Sequence, residues 1–111
     1  VVKVKTGDVM GAGTDANISL TLIGSKGESS VHVLNPMIHH NAFERNSTET
    51  VTIRMKSIGE VQKIKIVSDN SGPAPGWFLS YVDVNHDGVH RHFNVNGWIE
   101  KPNLTRIVHA G

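Results

Sequence analysis

Apolar and polar residues alternate along most of this chain. The alternation begins at Val2 and Val4, continues at Ile18, Leu20 and Leu22, and recurs in the segments 31–34, 51–55, 61–67, 78–84, 89–95 and 104–108. A period of two residues is typical of strands that bury one face. No segment sustains the 3.6-residue period of a helix. The pattern therefore predicts about eight short strands.

Turn-forming residues separate these segments. Glycine, asparagine, aspartate, serine and proline are frequent at 7–13, 24–27, 35–48, 57–60, 69–76 and 85–88. Many short strands with one apolar face each indicate two antiparallel sheets packed face to face. We predict an all-β fold, a β-sandwich. The 35–48 segment is its longest loop, and long loops on a rigid sandwich often carry function.

Length and composition narrow the class of protein. The 111 residues fit one domain, and the absence of cysteine excludes zinc-finger, iron–sulfur, thiol-protease and disulfide-scaffold proteins. Eleven basic against ten acidic residues give a net charge of +1, so no basic field favours nucleic acid. Apolar stretches are too short to span a bilayer. Because strand-like sequence starts at Val1, we expect residues 1–111 to be a single domain of a longer protein that supplies further domains.

Several segments resemble a known family. They are Val-Lys-Thr-Gly-Asp at 4–8, Gly-Ala-Gly-Thr-Asp-Ala-Asn at 11–17, Asn-Ala-Phe-Glu-Arg at 41–45, Asp-Asn-Ser-Gly-Pro-Ala-Pro-Gly-Trp-Phe-Leu at 69–79, and Phe-x-Val-x-x-Trp-Ile at 93–99. Their order and spacing resemble the PLAT domain, also called the lipoxygenase homology domain, of tandem lipoxygenase-homology proteins and polycystin-like proteins. The resemblance implies an eight-stranded antiparallel sandwich of two four-stranded sheets. It also implies a non-catalytic module that binds membranes or proteins, in several members with calcium.

The glycine-rich segment is the first half of a candidate calcium site. Calcium takes about six to eight oxygen ligands, so a flexible loop that exposes carbonyls beside a carboxylate suits it. The candidate ligands in this segment are Gly11, Gly13, Thr14 and Asp15. The alternative is a turn closed by hydrogen bonds from the threonine and aspartate side chains.

A second segment completes the candidate site by resemblance. Asn41 and Glu44 fall on positions that match the calcium ligands of the family. Ala42, beside His39 and His40, stands where calcium-binding members often have an acidic or polar residue, so we expect weak affinity. Glu44 could instead form an ion pair with its neighbour Arg45.

Three apolar side chains are candidates for contact with a membrane or a partner. Met37 and Ile38 lie in the long loop, outside the strand pattern, and Trp77 follows a proline-rich segment at the head of a strand. Tryptophan is amphipathic and suits a membrane interface or a protein contact. The alternatives are that Met37 or Ile38 plugs the underside of the loop and that Trp77 belongs to the core. We expect Trp98 to be a core residue.

Seven histidines raise the question of a zinc enzyme. His90 and His92 lie two apart on a predicted strand and share a face, with His86 and Asp87 in the preceding turn. Catalytic zinc needs three protein ligands and an open position, and no third ligand is evident. We predict an exposed polar sheet face there, and no enzyme.

The sequence thus predicts a non-catalytic targeting module. Calcium held in loops at one end of a sandwich would present apolar side chains to a membrane lipid surface, with the protein peripheral to a membrane in the cytoplasm. The alternative is a calcium-independent domain that binds a protein partner or regulates its parent chain.

Overall fold

The computed structural model describes residues 1–38, 42–72, 75–86 and 88–110. This part of the chain forms nine strands: β1 (Val2–Thr6), β2 (Ile18–Gly24), β3 (Gly27–Glu28), β4 (His32–Val33), β5 (Thr48–Val51), β6 (Val61–Ser68), β7 (Trp77–His86), β8 (Val89–Ile99) and β9 (Thr105–His109). A 3₁₀ turn spans Asn35–Met37. Among these residues there is no helix with the length and apolar character needed to cross a bilayer.

The strands form two antiparallel sheets. One sheet has the order β5-β1-β7-β8, and the other has the order β3-β2-β6-β9, with β4 also paired to β2. The predicted β-sandwich is confirmed. The prediction of two four-stranded sheets is corrected, because the second sheet has five strands. The additional strands are short, since β3 and β4 have two residues each and both pair only with β2.

Some strand boundaries also differ from the prediction, most clearly those of β5. The pattern placed a strand at 51–55, whereas β5 spans Thr48–Val51. Its partner explains the difference: Val51 pairs with Val2, the first residue of β1, so residues after Val51 have no neighbouring strand on that side.

The core lies between the inner faces of the two sheets. Val2, Val4, Ile18, Leu20 and Leu22 belong to it, as the alternating pattern requires, and each is at most 1% exposed. Trp77 is fully buried, its Nε1 donates a hydrogen bond of 2.9 Å to the buried Thr6 hydroxyl, and its ring centre lies 5.1 Å from that of Phe43. This aromatic pair closes the core at one end of the sandwich.

The long connections between strands lie at that end of the sandwich, which we call the loop end. Strands β1, β6 and β8 finish there, and β2, β5, β7 and β9 start there. It comprises loop 1 (7–17), loop 2 (34–47), loop 3 (69–76) and loop 4 (100–104). The opposite end, which we call the distal end, carries the β2–β3 turn, residues 52–60 and the β7–β8 hairpin turn.

The two tryptophans should respond differently to the same substitution. Trp77→Phe removes a buried hydrogen bond and leaves a void, so the free energy of unfolding should fall by roughly 1–3 kcal/mol. Trp98 is 38% exposed, and Trp98→Phe should change stability by about 0.5 kcal/mol or less. Urea unfolding followed by far-ultraviolet circular dichroism measures both, and equal losses would contradict this assignment.

Candidate functional site

Loop 1 presents an apolar tip. The Ala12 amide donates to the Val9 carbonyl at 3.1 Å, and Gly11 has a φ of 76°, which together define a tight turn over residues 9–12. Glycine is favoured at this position because the left-handed conformation has no steric cost there. Ala12 is anchored below, since its carbonyl accepts from the Phe78 amide at 3.0 Å. The turn leaves Val9 39% and Met10 87% exposed.

Gly13 brings loop 1 against loop 2. A Cβ at Gly13 would lie 3.0 Å from the Arg45 amide nitrogen and 3.3 Å from the Glu44 Cα, so a side chain would crowd loop 2. The next residue, Thr14, donates its amide to the Phe43 carbonyl at 3.0 Å. The two segments predicted to share a calcium ion are therefore in direct contact.

Thr14 links loop 1 to loop 3. Its hydroxyl donates to the Pro75 carbonyl at 2.7 Å and accepts from the Ala16 amide at 3.1 Å, and the residue is 5% exposed. This geometry is the predicted alternative of a turn closed by side-chain hydrogen bonds. The Thr14 hydroxyl therefore holds the loops together, so Thr14 would serve a metal ion through its backbone carbonyl and not through its hydroxyl.

Asp69 is a second clamp between loops 1 and 3. Its carboxylate accepts hydrogen bonds from the Ser71 hydroxyl at 2.6 Å, the Asn17 side-chain amide at 2.9 Å, and the backbone amides of Ser71 and Asn17 at 3.0 Å each. These bonds, above all those from Ser71 and then Asn17, hold the pKa of Asp69 well below its usual range. The sequence predicted turn-forming residues at 69–76, but it did not predict that Asp69 also binds Asn17 of loop 1.

Gly72 makes room for Asp15 in this arrangement. Its φ is 86°, and a Cβ there would lie 2.9 Å from the Asp15 Cβ. Asp15 consequently stands where loops 1 and 3 meet, with its side chain exposed.

Of the predicted ligands, Asp15 and Glu44 supply the carboxylates. Both are exposed, and within the described part of the chain neither side chain makes a hydrogen bond or an ion pair. Asp8, in contrast, pairs with Arg45 at 3.0 Å, so the alternative of a Glu44–Arg45 ion pair is replaced by an Asp8–Arg45 pair. Asn41 lies outside the described residues.

These oxygen donors are of the type that calcium binds, but there are few of them. Carboxylate and carbonyl oxygens are the ligands that calcium prefers. Among the described residues, however, no group of three acidic or histidine side chains is arranged to hold a metal ion. Backbone carbonyls of the loops and water would have to supply the remaining ligands, which limits affinity.

The exposed apolar side chains lie in loop 1 and not in loop 2, where the sequence placed them. Met37 ends the 3₁₀ turn, with its amide donating to the Leu34 carbonyl at 2.9 Å, and Met37 and Ile38 are half-buried against the core. They match the alternative of a plug under the loop. The predicted contact role of Trp77 is wrong for this structure because Trp77 is fully buried. A glycine-flanked Val9-Met10 pair was the sequence signal that could have identified the exposed tip.

Trp98 is the exposed tryptophan, contrary to prediction. It pairs with Phe78 across β7 and β8, on the outer face of the four-stranded sheet, and the two rings meet edge to face with centres 5.4 Å apart. Phe78 covers the backbone of Gly7, where a Cβ would lie 2.4 Å from the ring. Because Trp77 points inward, its neighbour Phe78 points outward, and so does the paired Trp98.

The paired histidines share one carboxylate. His92 Nδ1 lies 2.5 Å and His90 Nε2 lies 3.3 Å from Asp83 Oδ1, and the His92 ring is 5.0 Å from that of Tyr81. Both histidines are exposed on the outer sheet face. Asp87 lies outside the described residues.

Comparison with known proteins finds a family and several relatives. The model of the PLAT/LH2 domain matches residues 1–109. The human Lipoxygenase homology domain-containing protein 1 is 42% identical over 103 residues, which is 90% of this chain and 5% of that protein. Human Polycystin-1 is 37% identical over 101 residues, which is 88% of this chain and 2% of that protein. The chain thus spans a small fraction of the curated relatives it matches.

Solved structures show the same architecture. Coral 8R-lipoxygenase, described as having calcium activation via a C2-like domain, superposes with a TM-score of 0.87 at 32% identity, over 99% of this chain and 16% of that one. A calcium-dependent 11R-lipoxygenase superposes with a TM-score of 0.75 at 26% identity, over 99% of this chain and 17% of that one.

The hydrogen bonds to Asp69 should make the stability of the domain depend on pH in the acidic range. A carboxylate whose pKa is lowered on folding stabilises fully above its unfolded pKa of about 3.9, and this stabilisation is lost as the pH falls toward the lowered folded value. Asp69→Asn should therefore unfold at a lower temperature than the wild type at pH 7, and the gap should narrow below about pH 4. Thermal melts from pH 7 to pH 3 measure it, and a gap independent of pH would contradict the clamp.

Proposed function

Since this chain belongs to the PLAT/LH2 domain family, we propose that it is a non-catalytic module that attaches a larger protein to a membrane surface with the help of calcium. The chain corresponds to the PLAT domain and not to the catalytic part of a lipoxygenase. In this proposal the loop end contacts the lipid headgroups and the acyl boundary. The protein is then peripheral to the membrane.

The observation that carries the proposal is the exposure of Met10. A large apolar side chain that is 87% exposed at a loop tip has no role in the core. Val9 beside it is 39% exposed, so the tip offers a small apolar surface that insertion into a bilayer would bury. Full burial of one such side chain is worth about 1.5–3 kcal/mol, and interfacial insertion recovers part of this. Attachment would therefore be weak and reversible.

In this proposal, calcium binds to carboxylates at the loop end, close to the apolar tip of loop 1. Asp15 follows the tip in loop 1, and Glu44 lies on the loop 2 segment that contacts Gly13. A cation between them would neutralise negative charge that otherwise repels anionic lipid. The two similar lipoxygenases, one with calcium activation via a C2-like domain and one calcium-dependent, support this assignment by similarity. With two side-chain carboxylates we expect a Kd on the order of 10⁻⁴ M or weaker.

A specific observation favours protein binding as the second candidate function. The exposed Trp98 and the half-buried Phe78 form an aromatic pair on the outer sheet face, next to the loop end. Tryptophan is enriched among the residues that dominate protein interfaces. This alternative requires neither calcium nor lipid.

Calcium should stabilise the domain through Asp15. At about 100 times Kd, a ligand that binds only the folded state adds about 2.7 kcal/mol to the free energy of unfolding. With 10 mM calcium chloride the wild type should melt at a higher temperature, and Asp15→Asn should abolish the rise. Asp8→Asn is the matched control, because Asp8 is in the same loop and its charge is already paired with Arg45. An unchanged wild-type melt in calcium would refute the calcium site.

Membrane attachment should depend on Met10 and not on Met37. Met10→Ser should reduce co-sedimentation with anionic liposomes in calcium several-fold, without loss of thermal stability, because this side chain contacts mainly solvent. Met37→Ser should instead lower stability and preserve partition, since Met37 packs against the core. A calcium chelator should release the wild type and Met37→Ser from the liposomes. Full partition of Met10→Ser would show that Met10 does not carry the attachment, whereas a wild type that fails to sediment with liposomes would count against membrane attachment and favour protein binding through Trp98.

A further inference from the structure

The distal end of the sandwich contains a cavity that neither the loops nor the aromatic pair uses. Its volume is about 340 Å³, which falls within the range of small-molecule sites. Val61 of β6 and Val84 of β7 line it from the two sheets, and Val89 of β8 lines its side. Val61 and Val84 are nearly fully buried, whereas Val89 is 49% exposed. The cavity therefore runs from an apolar interior to the protein surface.

An ion pair stands at the mouth of this cavity. Arg91 pairs across the sheet with the inward-facing Val84, and its Nη2 donates to Glu60 Oε1. Glu60 immediately precedes β6, so this bond joins the two sheets across the open end. Both side chains line the cavity, and so does His86. Glu60 is 56% and Arg91 34% exposed in their side chains.

The Arg91 guanidinium has a buried donor that the ion pair leaves unused. Its Nε is buried and has no hydrogen-bond partner among the described residues, while Nη2 is engaged by Glu60. A buried donor of a charged group is normally satisfied by protein, water or a ligand. An anionic oxygen entering the cavity would gain a charge-assisted hydrogen bond from this guanidinium.

From this geometry we infer that the distal cavity binds an aliphatic carboxylate. The aliphatic part occupies the space between Val61, Val84 and Val89, and the carboxylate meets Arg91 at the mouth. The Glu60 carboxylate is bound to the same guanidinium and repels the carboxylate of the ligand, so Glu60 lowers the affinity. An amine of the same length would be repelled by Arg91, and a neutral alcohol would forgo the charge-assisted bond.

The two charged residues give opposite expectations for the affinity. Arg91→Gln removes the cation and should weaken binding of hexanoate at least ten-fold. Glu60→Gln removes the repelling anion, keeps the shape of the side chain, and should tighten binding several-fold. Arg106→Gln is the matched control, because Arg106 donates to the Trp98 carbonyl and does not line the cavity.

The test is a titration followed by backbone amide chemical shifts in ¹H–¹⁵N spectra. Hexanoate should give saturable shifts at Gly59, Val61 and Val89, and hexylamine and hexanol should give much weaker ones. N-acetylleucine serves as a second carboxylate: tighter binding of hexanoate assigns the site to free aliphatic acids, and tighter binding of N-acetylleucine assigns it to the carboxyl end of a peptide.

Several results would overturn the inference. Equal shifts with hexylamine or hexanol, or unchanged affinity for hexanoate in Glu60→Gln, would each do so. The Glu60→Gln measurement keeps the test valid even where Arg91→Gln fails to fold. Asp15→Asn and Met10→Ser should leave hexanoate binding unchanged, so this site and the membrane function can fail independently.

Discussion

The loop end depends on the burial of one indole ring. Trp77 begins β7 with its ring inside the sandwich, where its Nε1 bonds to the Thr6 hydroxyl at the end of β1 and its face meets Phe43 of loop 2. Phe43 adopts a φ of 57°, which is costly for a bulky residue, and full burial of its ring compensates for this. Removing the indole would therefore loosen the junction of β1, β7 and loop 2 at once.

Around this ring, several polar side chains of the loops form bonds from one loop to another. The Thr14 hydroxyl binds loop 3 from loop 1, and Asp69 of loop 3 binds Asn17 at the end of loop 1. Arg45 of loop 2 pairs with Asp8 of loop 1. These contacts leave Asp15, Glu44 and Met10 exposed on a framework that is already fixed. A preorganised framework lowers the entropic cost of binding a cation or a surface.

The two ends of the sandwich consequently offer different chemistry. At the loop end, the described residues offer exposed carboxylates and a protruding methionine, which suit a cation and a lipid surface. At the distal end, the sheets part around valine side chains beneath the Glu60–Arg91 bond, which suits a small amphipathic anion. Because the two sites lie at opposite ends of the sandwich and share no residue, a substitution at one need not disturb the other.

The sequence by itself determined the fold class and the position of most strands, because alternation with period two is a local property that the inner faces of both sheets require. The order and spacing of the loop segments also determined the family. Strand ends were harder: β5 ends at Val51 because its partner β1 starts at Val2, and this pairing joins residues far apart in the chain.

Only the tertiary structure decided which apolar side chains are exposed. Trp77 and Trp98 both lie in strands, and the side of the sheet that each faces depends on the register of β7 and β8, which shifts between Leu79 and Tyr81. Met10 and Met37 both lie in loops, and their exposure depends on whether another element covers them. The sequence likewise did not determine which carboxylates have partners. Asp69 binds Asn17 and Asp8 pairs with Arg45, and these partners are distant in sequence, while Asp15 stays exposed. Local sequence specifies the chemistry of a side chain, but burial and pairing are set by neighbours that only the folded chain brings together.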